Sequence, residues 1–306
     1  VAGNVLVSNF NNGANAQGTG STIVQVAPSG TVSLFAHIVL PSGSACPGGV
    51  GLTTALGVLQ RGWVIVGSLP TTDGTATTAG AGCLIVLNST GQVVETFADA
   101  NINGPWDMTL ADNESSATLY VTNVLNGTVA AGGKVVDGGT VLRISISVPI
   151  QGNGMPSKLQ ETIIGSGFPE RTDPAALVIG PTGLAVSGST LYVADSLDNR
   201  IAAIANAPTI TSSAQTVQDI AVGGALNDPL GLALAPNGDL VAVNGNDGKA
   251  VEVTQAGAQV AVKVLDNTVT HGGKNGGGTL FGLAPVPDSS GLYFVDDGAN
   301  TLNLLH

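Results

Sequence analysis

Charge, aromatic side chains and histidine are the scarce materials of this chain. Charged residues make up 10% of it, aromatics 4%, and only three histidines occur in 306 residues. Nine basic residues stand against 21 acidic ones, a net charge of −12. Such a surface repels phosphate backbones and anionic headgroups, which excludes nucleic acid as a partner and disfavours a membrane surface. No apolar run approaches the roughly 18–20 residues of a spanning helix. A sustained 3.6-residue apolar period is missing as well, so the chain is not helical. No Cys/His spacing suits zinc, no GxSxG stands in a strand–turn–helix setting, and no Ser-His-Asp arrangement is recoverable. The chain opens at Val1 with neither a basic nor an apolar leader. With sparse lysine and one pair of cysteines, it is expected to be extracytoplasmic, secreted or periplasmic, its signal peptide absent from this sequence.

Glycine is abundant, at 44 residues, which suits many short strands joined by tight turns. The runs NVLVSN (4–9), ATLYVTN (117–123), STLYVAD (189–195), GDLVAVN (238–244) and SGLYFVD (290–296) repeat one pattern, a short apolar run ending in Asn or Asp, and WVIVGS (63–68) is a degenerate sixth copy. A second run comes shortly before most of them: VGLTTAL (50–56), PWDMTL (105–110), PTGLAV (181–186), PLGLAL (229–234) and LFGLAP (280–285). Third and fourth runs follow, as in CLIVLNSTGQVVETFAD (83–99). Four antiparallel strands per unit, in six units of about 51 residues, predict a six-bladed β-propeller. The first unit lacks its inner strand and the last its outer strand. The two gaps are adjacent in the circle, so a single domain over 1–306 is expected, its ring closed between the N- and C-terminal segments. A native open seam, with two sheet edges to protect, is the alternative.

The run PTGLAVSGSTLYVADSLDNRIAAI (181–204) resembles an NHL repeat, and DPLGLALAPNGDLVAVNGNDGKAVEV (228–253) resembles a second. The resemblance implies inner strands that line a central channel and a tight Asp/Asn turn after each second strand. It specifies fold more than function, since NHL propellers serve as enzymes and as binding platforms.

Asn9, Asn123, Asp195, Asn244 and Asp296 end the second strands, about one per blade. Collected around a channel mouth, they would suit calcium, another divalent cation or a polyol. Equally, Asp and Asn cap tight turns by bonding to backbone two residues on. Asp107 stands where the aligned inner strands carry Gly183, Gly231 and Gly282, which makes it a candidate catalytic and metal-binding carboxylate. Trp106 beside it offers a wall for a sugar or ring. The pair loosely resembles the metal site of the gluconolactonase and senescence-marker propellers, which implies Asp107 and Asn123 as ligands; that family's glutamate from the first inner strand is missing. Streptogramin-lyase-like propellers use channel histidines with a divalent metal. Here only His271, in THGGKNGGGT (270–279), is placed to act as a base, while His37 lies far from the axis and His306 at the terminus. Arg171, between Glu170 and Asp173, forms a local ion pair or clamps a substrate carboxylate.

Two functions fit. One is an exported propeller that binds a small molecule, glycan, peptide or protein on its channel face as a monomer. The other is a metal-dependent hydrolase, lactonase or lyase with a divalent cation at the channel mouth. Long turns at 11–20, 69–82 and 124–139 contrast with short ones in the last three units, and long loops on one side usually shape a site. Cys46 and Cys83 are expected to form a disulfide, since blade topology places both on the channel-opening face of one blade.

Overall fold

The computed structural model describes residues 3–213, 217–269 and 275–306. Its strands form six mostly antiparallel sheets, an all-β six-bladed propeller, and strands pair in chain order within each sheet. The first sheet holds β1 (Val5–Ser8), β2 (Thr22–Val26) and β3 (Val32–His37). The second holds β4 (Leu52–Val58), β5 (Val64–Ser68), β6 (Cys83–Leu87) and β7 (Val93–Phe97). The third has β8 (Pro105–Asp112), β9 (Ser116–Asn123), β10 (Val136–Ser147), β11 (Ser157–Asp173) and β12 (Leu177–Ile179). The fourth contains β13 (Pro181–Ser187), β14 (Thr190–Asp195), β15 (Arg200–Ile204) and β16 (Val217–Val222). In the fifth are β17 (Pro229–Leu234), β18 (Leu240–Asn244), β19 (Lys249–Val253) and β20 (Gln259–Val264). The sixth is β21 (Leu280–Pro285), β22 (Leu292–Asp296) and β23 (Thr301–Leu305). The repeat predicted four strands in each unit; the third sheet has a fifth. It exists because β11 extends over 17 residues and takes β12 on the side away from β10.

By its contacts the chain divides into two compact units. Unit 1 comprises Val1–Val136, Val141–Ile163 and Arg171–Val178; unit 2 comprises Asp137–Thr140, Ile164–Glu170 and Ile179–His306. Unit 1 has one core around Trp63, Leu84, Leu119 and Ile144, and another around Ile23, Val66 and Ile85 that includes both cysteines. Unit 2 is built around Tyr192, Ile201, Leu240 and Val251, and around Val243, Leu280 and Phe294. Middle strands such as β5, β6 and β18 are buried on both faces, which is why they read as continuous apolar runs and not as alternation.

One irregularity recurs in the first strand of five sheets. The pairing slips between Leu52 and Leu56, Pro105 and Met108, Pro181 and Leu184, Pro229 and Gly231, and Leu280 and Leu283. Bulges of this kind re-aim side chains. Glycine is imposed at two of them by close approach. A Cβ on Gly183 would stand 2.3 Å from the amide nitrogen of Leu232, and one on Gly231 2.2 Å from the carbonyl oxygen of Phe281. These glycines therefore face the backbone of the next inner strand.

Candidate functional site

In unit 2 the short turns bond mostly within themselves, although Oδ1 of Asp195 is buried without a partner. Asp195 is fully buried, and Arg200 Nε donates to its Oδ2 at 2.8 Å. The same guanidinium reaches Asp219 at 2.6 Å and lies 5.7 Å over the Phe168 ring. Burial outweighs Arg200 and pushes the Asp195 carboxyl up to about 6. Asn244 is also fully buried and saturated: it accepts from the amide of Asn227 and donates to Ala225 O at 2.9 Å and to Asp247 Oδ1 at 3.0 Å. Asp296 accepts the amide of Ala299 at 3.0 Å. Each of these turns then uses a left-handed residue four positions on, namely Asn199, Gly248 and Asn300, as tight turns require.

Unit 1 is arranged differently, because its long turns bond to one another. The 11–20 turn meets the 69–82 turn where Thr71 N donates to Gly18 O at 2.8 Å and Thr71 Oγ1 to Gln17 O at 2.6 Å. Gly82 N donates to Asn103 O at 2.7 Å, and the Asn103 amide donates to Asn126 Oδ1 in the third turn. At the ends of the second strands, Asn9 donates to Thr22 Oγ1 at 2.7 Å, while Asn123 accepts from Gly104 N at 3.3 Å. Asn123 is fully buried, and its Nδ2 has no partner; the same is true of Oδ1 in Asn11 and in Asn103. The disulfide between Cys46 and Cys83 is present, with Cα atoms 5.2 Å apart. It anchors the 69–82 turn at the start of β6.

Asp107 is half-buried in the bulge of the β8–β9 pair, where its amide donates to Thr122 Oγ1 at 3.1 Å. The Trp106 ring is 5% exposed, and its indole N–H donates to Val178 O at 2.9 Å. Arg171 forms the local ion pair with Asp173 at 3.1 Å and donates to Thr172 O. His37 is exposed at the end of β3, and His306 contacts Ser290 O at 3.0 Å. His271 lies outside the described residues.

A gluconolactonase from Xanthomonas campestris matches with a TM-score of 0.54 at 14% identity, covering 92% of this chain and 77% of that one. Regucalcin from Agrobacterium tumefaciens, a calcium-binding protein, gives 0.56 at 14%, over 91% and 78%. A chain of a nidogen–laminin complex gives 0.51 at 12%, over 92% and 80%. What is shared is a fold. No protein-family model matches the chain, and no curated protein matches it, so the NHL resemblance rests on the quoted runs. An enzyme, a calcium-binding protein and a member of a protein complex share this architecture, which therefore does not choose among them.

The five second-strand residues thus fall into two sets. Asn9, Asn244 and Asp296 are hydrogen-bonded inside their own blades, whereas Asn123 Nδ2 and Asp195 Oδ1 are buried without a partner. Among the described residues no three His, Cys, Asp or Glu side chains gather in a way that could hold a metal ion. A groove of about 280 Å³ opens between Pro41–Ala45 and Val93–Thr96, and none of the predicted site residues lines it. Gln17, Asn103 and Leu177 had no motif to mark them. The one available signal was the length of the turn that carries Gln17.

Proposed function

We propose that the protein is an exported propeller of the NHL kind that binds a neutral, hydroxyl-rich ligand, of carbohydrate type, on the interlocked turns of unit 1. The observation that carries this reading is the chemistry of those turns. Across 11–20, 69–82 and 124–139 the charged residues are Asp73, Lys134 and Asp137, and the remaining polar groups are amides and hydroxyls. Amides and hydroxyls both donate and accept, which matches sugar hydroxyls. The disulfide supports an oxidising compartment. Thermal unfolding against panels of neutral and of carboxylated oligosaccharides tests it. A neutral sugar at 100 times its Kd is expected to stabilise the protein by about 2.7 kcal/mol. A response confined to the carboxylated panel, or to neither, sinks the reading.

A second reading, a metal-dependent hydrolase or lyase, is favoured by Asp107 alone. It places a carboxylate on the bulge where unit 2 has glycine. One oxygen each of Asp195, Asn244 and Asp296 already serves Arg200, Asn227 and Ala299, and Oδ1 of Asp195 is buried with no partner. Millimolar calcium that raises the melting temperature of the protein, but not of Asp107→Ala, would put this reading first.

A further inference from the structure

In five sheets one backbone bond recurs beside the first strand. The residue after the second strand donates its N–H to the carbonyl of the residue before the first strand. Leu69 donates to Gly51 at 2.7 Å, Val124 to Gly104 at 3.0 Å, Ser196 to Gly180 at 3.0 Å, Gly245 to Asp228 at 2.7 Å and Asp297 to Thr279 at 2.8 Å. In the first sheet the equivalent residue is Phe10, and its N–H has no backbone partner among the described residues. The order β1-β2-β3 leaves β1 as an edge, where every other sheet sets its first strand. Asn9 N donates to Thr22 O at 2.9 Å, and the pairing of β1 with β2 runs without a slip. Alternation along such a pair turns the N–H and C=O of Ser8 and Leu6 to the open side, in line with the N–H of Phe10. Burial agrees: β1 is half-buried at each position, whereas its equivalents β5 and β18 are buried throughout.

The surroundings define what fits. Ser8 Oγ donates to Thr53 O at 2.6 Å, which sets the open edge beside β4. No charged residue occurs in 4–10, 20–26 or 50–58, so a charged strand would be desolvated there without a counter-ion. The undescribed stretches 1–2, 214–216 and 270–274 hold five residues or fewer, against six to eight in the other first strands. None of them supplies a strand of that length. We propose that the open edge of β1 takes up an extended, uncharged segment of a partner protein, which adds to the first sheet as an antiparallel strand. Its carbonyl groups accept from Phe10, Ser8 and Leu6. Main-chain bonds of this kind supply affinity, and alternate side chains supply specificity. The first strands PTGLAV and PLGLAL show the pattern that suits the place, apolar with one glycine.

A capped peptide with the sequence of residues 179–187, IGPTGLAVS, is the probe, and hydrogen exchange at single amides is the readout. Present at ten times its Kd, it is expected to slow exchange at Phe10, Ser8 and Leu6 about tenfold and to leave β5 and β6 unchanged. Leu6→Pro removes one outward N–H without touching the ladder to β2, and should weaken the peptide several-fold. Should that variant disturb β1 itself, seen as faster exchange in β2, a peptide N-methylated at alternate amides replaces it and is expected to give no slowing. Absence of slowing at millimolar peptide would overturn the proposal, as would equal slowing by a scrambled peptide of the same composition. Protection of the three amides in the free protein would also overturn it, because the edge would then be filled from within the chain. Protection that grows with protein concentration alone would put a second copy in place of the partner and overturn it as well.

Discussion

Asn123 and Asn244 occupy the same position, the last residue of a second strand, and both are fully buried. One is saturated and the other keeps a free donor. The turn that follows explains the difference. After Asn244 the chain needs only Gly-Asn-Asp-Gly to return, and Asp247 lands within 3.0 Å of the amide. After Asn123 it wanders through a long turn that bonds to neighbouring turns instead. Unit 2 closes its turns locally, whereas the turns of unit 1 bond to one another. A buried polar atom without a partner costs about 1–3 kcal/mol. Such atoms occur in both units: amide atoms of Asn11, Asn103 and Asn123 in unit 1, and Oδ1 of Asp195 in unit 2.

The largest test of this contrast is the disulfide. The bond between Cys46 and Cys83 closes a loop of 37 residues, which in the chain-entropy model is worth about 3–4 kcal/mol. Replacing both cysteines by serine should lower stability by that order. Hydrogen exchange should rise in the 69–82 turn and its neighbours in unit 1, and stay level in β17 to β19. Equal loosening of both units would show that the staple serves the whole molecule and not the turns of unit 1.

Unit 2 has its own signature, in pH. Asp195 has a pKa of about 6 when folded, against the 3.8 expected of a free side chain, so the folded state holds this proton more tightly than the unfolded chain. The unfolded state therefore binds fewer protons between those values, and stability falls as pH rises from about 4 to about 6, then levels off. A shift of this size corresponds to something on the order of 2–3 kcal/mol. Asp195→Asn should flatten that part of the profile measured by urea unfolding. A wild-type profile that rises across the window would mean that Arg200 outweighs burial.

Much of this was legible in the sequence, and the illegible part has a common cause. The blades could be read because each second strand repeats an apolar run closed by Asn or Asp, and because local pairing needs only neighbours in the chain. The cysteine bridge could be read from blade topology for the same reason. Even the fate of the turn residues was partly visible: Arg200 follows Asp195 by five residues and Asp247 follows Asn244 by three, while no charged partner follows Asn123 so closely. The indole bond from Trp106 to Val178 and the bonds from Gln17 to Pro174 and Ala175 were not legible. Their partners lie 72 to 158 residues apart, and no repeat or spacing encodes such contacts. Trp106 illustrates the limit. Its position beside Asp107 was clear, but not that its N–H would be satisfied by a segment folding back from the end of β11.

The smallest effect is the most direct test of the two asparagines. Asn244→Ala strips partners from the amide of Asn227, from Ala225 O and from Asp247, all in or beside a buried site. Its cost should fall in the range of about 1–3 kcal/mol for unsatisfied buried groups. Asn123→Ala forfeits one long bond from Gly104 N and removes a donor that had no partner. Both substitutions delete the same atoms from fully buried positions, so the packing loss is similar and the difference between them isolates the hydrogen bonds. Asn123→Ala should therefore be the milder of the two by about 1–2 kcal/mol in chemical unfolding. Equal costs would mean that the free donor of Asn123 is satisfied in solution, by water or by a shift of Asn103. The contrast between the two units would then shrink to one of turn length. A cost near zero for Asn123→Ala, combined with lost sugar affinity, would instead mark Asn123 as a residue retained for ligand and not for the fold.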